Sequence, residues 1–185
     1  MLASKQKREP SRPNLSATEV ASFTEAVAEY IRAQRTRYHP RAAPLAFSDL
    51  WSRFFSAWDL ERIRVLQPGQ ERVPNPPFYA ELERLGFTGL PNFTTMAAIT
   101  YDDVVVFHDP LTPQLIFHEM VHIVQYRLLG VDEFARLYVR GYLHSGYSGT
   151  PLEVCAYELD GRFIMGSVGF DVEAEVKSWI EKGRF

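Results

Sequence analysis

PQLIFHEMVHIVQYRLL, residues 113–129, is the stretch from which the rest of the chain is read. It sets His118, Glu119 and His122 in the pattern H-E-x-x-H. On a helix, positions i and i+4 lie on one face a turn apart, so both imidazoles can reach a single metal ion. Glu119, one step along, can touch a water held by that ion and take its proton. Leu115, Ile116, Phe117, Met120, Val121, Ile123 and Val124 surround these three residues. A helix apolar on most of its surface is a buried one, and buried imidazoles and carboxylates need hydrogen-bond partners or a metal.

The neighbouring elements are marked by local signals. Thr112 is the expected N-cap of this helix, Pro113 its first residue and Gly130 its end. Just upstream, Ala97 to Tyr101 and Val104 to Phe107 are short apolar, β-branched runs around Asp102-Asp103. They read as a hairpin beside the metal, to which an extended peptide could add as a further strand. Downstream, Asp132 is expected to cap a helix carrying Phe134, Leu137, Tyr138 and Tyr142. Residues 141–150, GYLHSGYSGT, contain G-x-x-x-x-G, but Tyr147 stands where a phosphate loop requires Lys, and no strand precedes it. This stretch is expected to be a flexible connection near the site. Thr150 and Pro151 open a helix to about Ile164, closed by Gly166, and Asp171 opens a last amphipathic helix to about Lys182.

Catalytic zinc takes three protein ligands and keeps one open position. The continuation H-E-x-x-H-x-x-G-x-x-H fails here, because Gln125 and Leu128 occupy the required Gly and His positions. A carboxylate from a later helix is the alternative. Glu153 follows His122 by 31 residues, among Leu152, Val154, Cys155 and Ala156. Yet Thr150-Pro151-Leu152-Glu153 is also a T-x-x-E capping box, which would employ Glu153 without any metal. Glu158 is the second candidate. Asp160, seven residues after Glu153, can accept a hydrogen bond from the outer nitrogen of a ligand histidine, or be a surface carboxylate. His144 could be a ligand or stabilise a transition state. Tyr142 and Tyr147 could donate to an oxyanion, or simply pack. His108 and His39 are given no role.

The first half of the chain is read as helical. Lys5, Lys7, Arg8 and Arg12 make residues 1–14 a basic tail, expected to be disordered. Ser16 and Glu19 form a capping box for a helix over Ala17 to Arg37, whose Glu25, Glu29, Arg32 and Arg35 make a solvated face. Ser48 can cap a second helix with Leu50, Trp51, Phe54, Phe55 and Trp58 as an apolar stripe, ending near Leu60 or running on to Leu66. Pro77 suits the first turn of a short helix from Phe78 to Leu85, closed by Gly86. Residues 15–185 are expected to form one domain, with a helical part at 15–90 and a metal-site core at 91–185.

Composition narrows the function. The 185 residues are 46% hydrophobic and 14% aromatic, enough for a sizeable core. A net charge of −3 argues against nucleic acid as a partner. The single cysteine, Cys155, excludes an internal disulfide. MLASKQKREP lacks the apolar core of a secretory signal, and no apolar run approaches the roughly 18 residues that span a bilayer. The expectation is a soluble, cytoplasmic protein with no membrane partner.

The strands AITYDDVVVF, the helix HEMVHIVQYRLLG and the later PLEVCAYELDGRF together resemble bacterial zincin-like metallopeptidase domains of the gluzincin type. They are most similar to small domains of uncertain function with a HELVHVVQ-type helix and a later N-P-x-E-x-x-A motif. The resemblance covers residues 97–163, and residues 1–90 carry none of it. It implies an α+β, mostly helical zincin fold, with a small twisted sheet or hairpin packed on the H-E-x-x-H helix. It also implies one zinc ion on His118, His122 and Glu153, with Glu119 as catalyst. The thermolysin-like E-x-x-x-D departs here, because Tyr157 stands at the Asp position. GTPLE at 149–153 also looks like the G-T-x-x-D of aspzincins, with Glu for Asp. The expected function is zinc-dependent hydrolysis of peptide or protein substrates. The alternative is a catalytically idle zincin-like module that binds other proteins.

Overall fold

Helix α1 (Ala17–Tyr38) begins where Ser16 and Glu19 satisfy each other's backbone, the Ser16 N–H donating to the Glu19 carboxylate at 2.8 Å. The computed structural model describes residues 15–46, 48–166 and 168–185, and the expected basic tail at 1–14 lies outside them. After α1 come β1 (Ala43–Pro44), α2 (Ala57–Arg62), β2 (Arg64–Leu66) and α3 (Tyr79–Arg84). The hairpin β3 (Ala98–Tyr101) and β4 (Val104–Phe107) follows, then α4 (Pro113–Ser145), α5 (Pro151–Ile164) and α6 (Val172–Glu181). The architecture is α+β and mostly helical, with one small mixed sheet. Among the described residues, no helix is long and apolar enough to cross a membrane.

The sheet order is β1-β2-β4-β3. β3 and β4 pair antiparallel, with Ile99 opposite Val106 and Thr100 opposite Val105. Asp102 takes the turn at φ 59°, a conformation that Asp tolerates better than most residues. β2 runs parallel to β4, so β4 is an inner strand and all four of its residues are buried. Its alternation sorts two cores. Val104 and Val106 face α1 with Ile31 and Tyr38, while Val105 and Phe107 face α4 with Phe117, Met120 and Val124.

Several expectations are corrected. The second helix does not start at Ser48. A short 3-10 turn at Trp51–Arg53 comes first, and Ser56 caps α2 by accepting from the Asp59 N–H. Nor does it run on to Leu66, since Arg64–Leu66 is the strand β2. Trp51, Phe54 and Phe55 are buried as expected, but Trp58 is 47% exposed, with the Arg62 guanidinium 4.1 Å from its ring. Pro77 precedes the N-cap Phe78 and so falls outside α3. The face of α1 read as solvated is exposed at Glu25, Glu29 and Arg32, the last pairing with the exposed Asp132 at 2.6 Å, while Arg35 is half-buried and forks onto the Asp103 carboxylate with two bonds of 2.9 Å. Asp132, the expected cap, is thereby tied to α1. Gly130 does interrupt the helical backbone, at φ 75° and ψ 162°, so α4 is two helical segments joined at a kink.

The stretch read as a flexible connection is mostly helix. Residues 141–145 are the last of α4, and a 3-10 turn at Tyr147–Gly149 leads into α5. Gly141 has a steric purpose there. A Cβ on it would stand 2.7 Å from Pro151 Cδ and 3.2 Å from Thr150 Cα. α5 therefore starts against the bare backbone of α4, which fixes the height of Glu153 along it. Gly141→Ala gains about 1 kcal/mol of helix propensity but loses on the order of 1–3 kcal/mol to the clash with a rigid ring and a backbone atom. The expected result is a lower urea midpoint at unchanged slope. An equal or higher midpoint would show that α5 can move away without cost.

Candidate metal centre

α4 carries His118 and His122 one turn apart, and α5, packed along it, carries Glu153. The three side chains are buried, and a ligand atom from each lies within 4.8 Å of the others. The two Nε2 atoms are 3.2 Å apart. Glu153 spans them, with Oε2 3.4 Å from the His118 Nε2 and Oε1 3.7 Å from the His122 Nε2.

The outer nitrogens decide what this cluster can bind. His118 Nδ1 lies 3.0 Å from the Asp160 carboxylate, which can only accept, so Nδ1 carries a proton. His122 Nδ1 lies 2.9 Å from the Gln125 Oε1. The orientation of that amide is set at its other end, where Nε2 donates to the Leu152 carbonyl at 3.0 Å. His122 Nδ1 is thus also a donor. In their neutral form both imidazoles therefore turn Nε2 lone pairs toward one point, which a carboxylate also faces. Among the described residues, Glu153 Oε2 is buried with no hydrogen-bond partner. Three convergent lone-pair donors fit a cation, and His2Glu is a donor set that suits zinc. A proton is the other species that fits. Burial opposes a charge on His118, but Asp160 and Glu153 outweigh it and push the imidazole up to about 10. Burial likewise opposes ionisation of Glu153, and the two imidazoles overcome it, holding the carboxyl well below its usual range.

The competing use of Glu153 as a helix cap is half realised. The Thr150 hydroxyl accepts from the Glu153 N–H at 3.4 Å, but the Glu153 carboxylate turns to the imidazoles. At Ser16 and Glu19 both halves of the box are made.

Glu119 is buried beside the cluster, and Thr100 of β3 donates to its Oε2 at 2.6 Å. Thr100 and Gln125 were not singled out by sequence reasoning. The signal for Thr100 was strand parity, since the hairpin register puts it on the α4 side. The signal for Gln125 was an uncharged polar residue in a buried apolar run, three positions after a histidine. Tyr147 reaches the site and lines the cavity wall with Glu153. Burial and the Glu153 charge raise its phenol far above the usual range, so it keeps its proton. Tyr157 sets its ring 4.7 Å from that of His118.

Other candidates are not brought together here. Glu158 is an exposed partner of Arg184 at 3.1 Å. His144 is exposed on the last turn of α4, and Tyr142 lines a separate apolar pocket with Phe23 and Leu82. His108 is structural, accepting from the Val73 N–H on Nε2 at 3.1 Å and donating from Nδ1 to the Met96 carbonyl at 2.8 Å. An open cleft of about 550 Å3 borders the centre, lined by residues between Met96 and Asp160 and including His118, Glu119 and Tyr157. No family model matches the chain, and neither does any curated protein or solved structure.

If the outer bonds orient the imidazoles, removing them weakens metal binding without removing a ligand. Asp160→Ala and Gln125→Ala are each expected to lower zinc affinity roughly 10–100-fold, read by competition with a chromophoric chelator. Wild-type affinity in both variants would show that the imidazoles hold their positions unaided.

Proposed function

We propose that the protein is a zinc-dependent metallopeptidase of zincin type. The observation that carries this reading is the convergence of the two Nε2 atoms and the Glu153 carboxylate beside a second buried carboxylate, Glu119. His118, His122 and Glu153 would hold the zinc. When bound, zinc supplies Lewis acidity, lowering the pKa of a water toward about 7 and polarising a peptide carbonyl.

The chain's own residues do the rest. Glu119 takes the proton of the attacking water and returns it to the leaving amine. The Thr100 hydroxyl occupies Oε2 of Glu119, which leaves the other oxygen to carry the proton. Tyr147, protonated throughout, can donate to the oxygen on which negative charge develops. β3 is an edge strand of the sheet, and Ala98, its first residue, lines the cleft with Met96 and Ala97. An extended peptide can pair along that edge and bring its carbonyl to Glu119.

The test combines metal content with hydrolysis of a mixed peptide pool followed by mass spectrometry. Wild type is expected to hold about one zinc per chain and to cleave peptides. Glu153→Ala is expected to lose most of the metal. Glu119→Gln is expected to keep the metal and lose at least about a hundredfold in rate, the scale of a general base. A metal-loaded wild type that cleaves nothing would favour the idle binding module, and a wild type that takes no metal would end both readings.

A further inference from the structure

A second void lies behind the centre. It measures about 100 Å3, and Glu119, His122 and Glu153 form one wall. The opposite wall comes from the part of the chain that carries no resemblance to a known family, including Val27, Tyr30 and Ile31 of α1, and Phe78 and Phe93. This inner cavity and the open cleft share Met96, Ala98, Glu119 and Tyr147, so the two abut at the catalytic carboxylate.

We infer that the inner cavity receives the side chain of a substrate residue next to the scissile bond, and that this side chain is large and apolar. The inference rests on the peptidase reading and names its substrate class. Size is the first argument. At about 100 Å3 the void is roughly two-thirds of the apolar cavity of about 150 Å3 that binds benzene and several times the roughly 10–15 Å3 that one water needs, a size that suits a single side chain. Chemistry is the second. The far wall is aliphatic and aromatic, and among the described residues no Lys or Arg lines the cavity to pair with an acidic side chain. Position is the third. A peptide whose carbonyl lies at Glu119 has its neighbouring side chains within one residue of the shared wall. The N-terminal half then acts as a selectivity wall. Among the described residues it does not roof the cleft, which is lined by residues between Met96 and Asp160.

The test uses the zinc-loaded full chain and three hydroxamates that share one metal-binding group, titrated by calorimetry. Acetohydroxamate has no arm, 3-phenylpropanohydroxamate an apolar arm and succinic monohydroxamate a carboxylate arm. The phenyl arm is expected to tighten binding roughly tenfold or more over acetohydroxamate, from the apolar area it buries, and the carboxylate arm to give no gain. Val27→Trp fills the cavity from α1 and is expected to bring the phenyl advantage to near unity, with zinc content at the wild-type level as the check on folding. Phe93→Ala enlarges the cavity from the short 3-10 turn at Phe93–Thr95 and is expected to favour a naphthyl arm over phenyl. Equal affinities of wild type for the phenyl and acetyl probes would overturn the pocket alone. Failure of acetohydroxamate to bind the zinc-loaded protein would overturn the catalytic centre, and the pocket with it.

Discussion

The approach of α5 to α4 is the contact on which the rest of this structure depends. It sets a buried carboxylate against two buried imidazoles, an arrangement that costs several kcal/mol unless every lone pair and proton has a use. The chain meets that demand around the rim of the cluster. Asp160 and Gln125 take the outer imidazole protons, and Gln125 is itself held by the Leu152 carbonyl of α5. Gly141 lets the first turn of α5 touch α4, and Thr150 caps it. Each of these residues acts across the same interface. A change at any of them moves Glu153 relative to the imidazoles.

The sheet contributes by parity. Thr100 reaches Glu119 because it shares a face of the hairpin with Val105, the face that packs on α4. Its neighbours Ile99 and Tyr101 point the other way, into the aromatic cluster under α1. Two adjacent residues of one strand thus serve the carboxylate and the hydrophobic core separately. A register slip by one residue would exchange them.

How much could be read in advance follows from distance along the chain. The starts of α1, α4, α5 and α6 were legible, because their caps at Ser16, Thr112, Thr150 and Asp171 lie next to the helices they begin. The hairpin was legible from two β-branched runs and an Asp-Asp turn. β2 was not, because three residues of mixed character become a strand only by pairing with residues 104–106. Trp58 was misjudged because its exposure depends on where α4 places Arg127, which lies over its ring with Arg62. Glu153 could not be decided from its own neighbourhood. S-x-x-E at Ser16 and T-x-x-E at Thr150 are the same local pattern, and only the presence of two imidazoles draws the second glutamate away from its backbone.

The parallel pairing of β2 with β4 also bears on how the polypeptide leaves the ribosome. β2 ends at Leu66, and its partner begins at Val104. Trp51, Phe54 and Phe55 must wait still longer for Phe117 and Phe163, and α1 for the residues of α4 it packs upon. During synthesis the first half of the chain therefore emerges with its aromatic surface uncovered, and no native partner exists for most of it until the second half follows. Such late, long-range closure makes a nascent chain slow to fold and prone to association with its neighbours. The wall that would give this protein its selectivity is also the part of it that waits longest for its native cover.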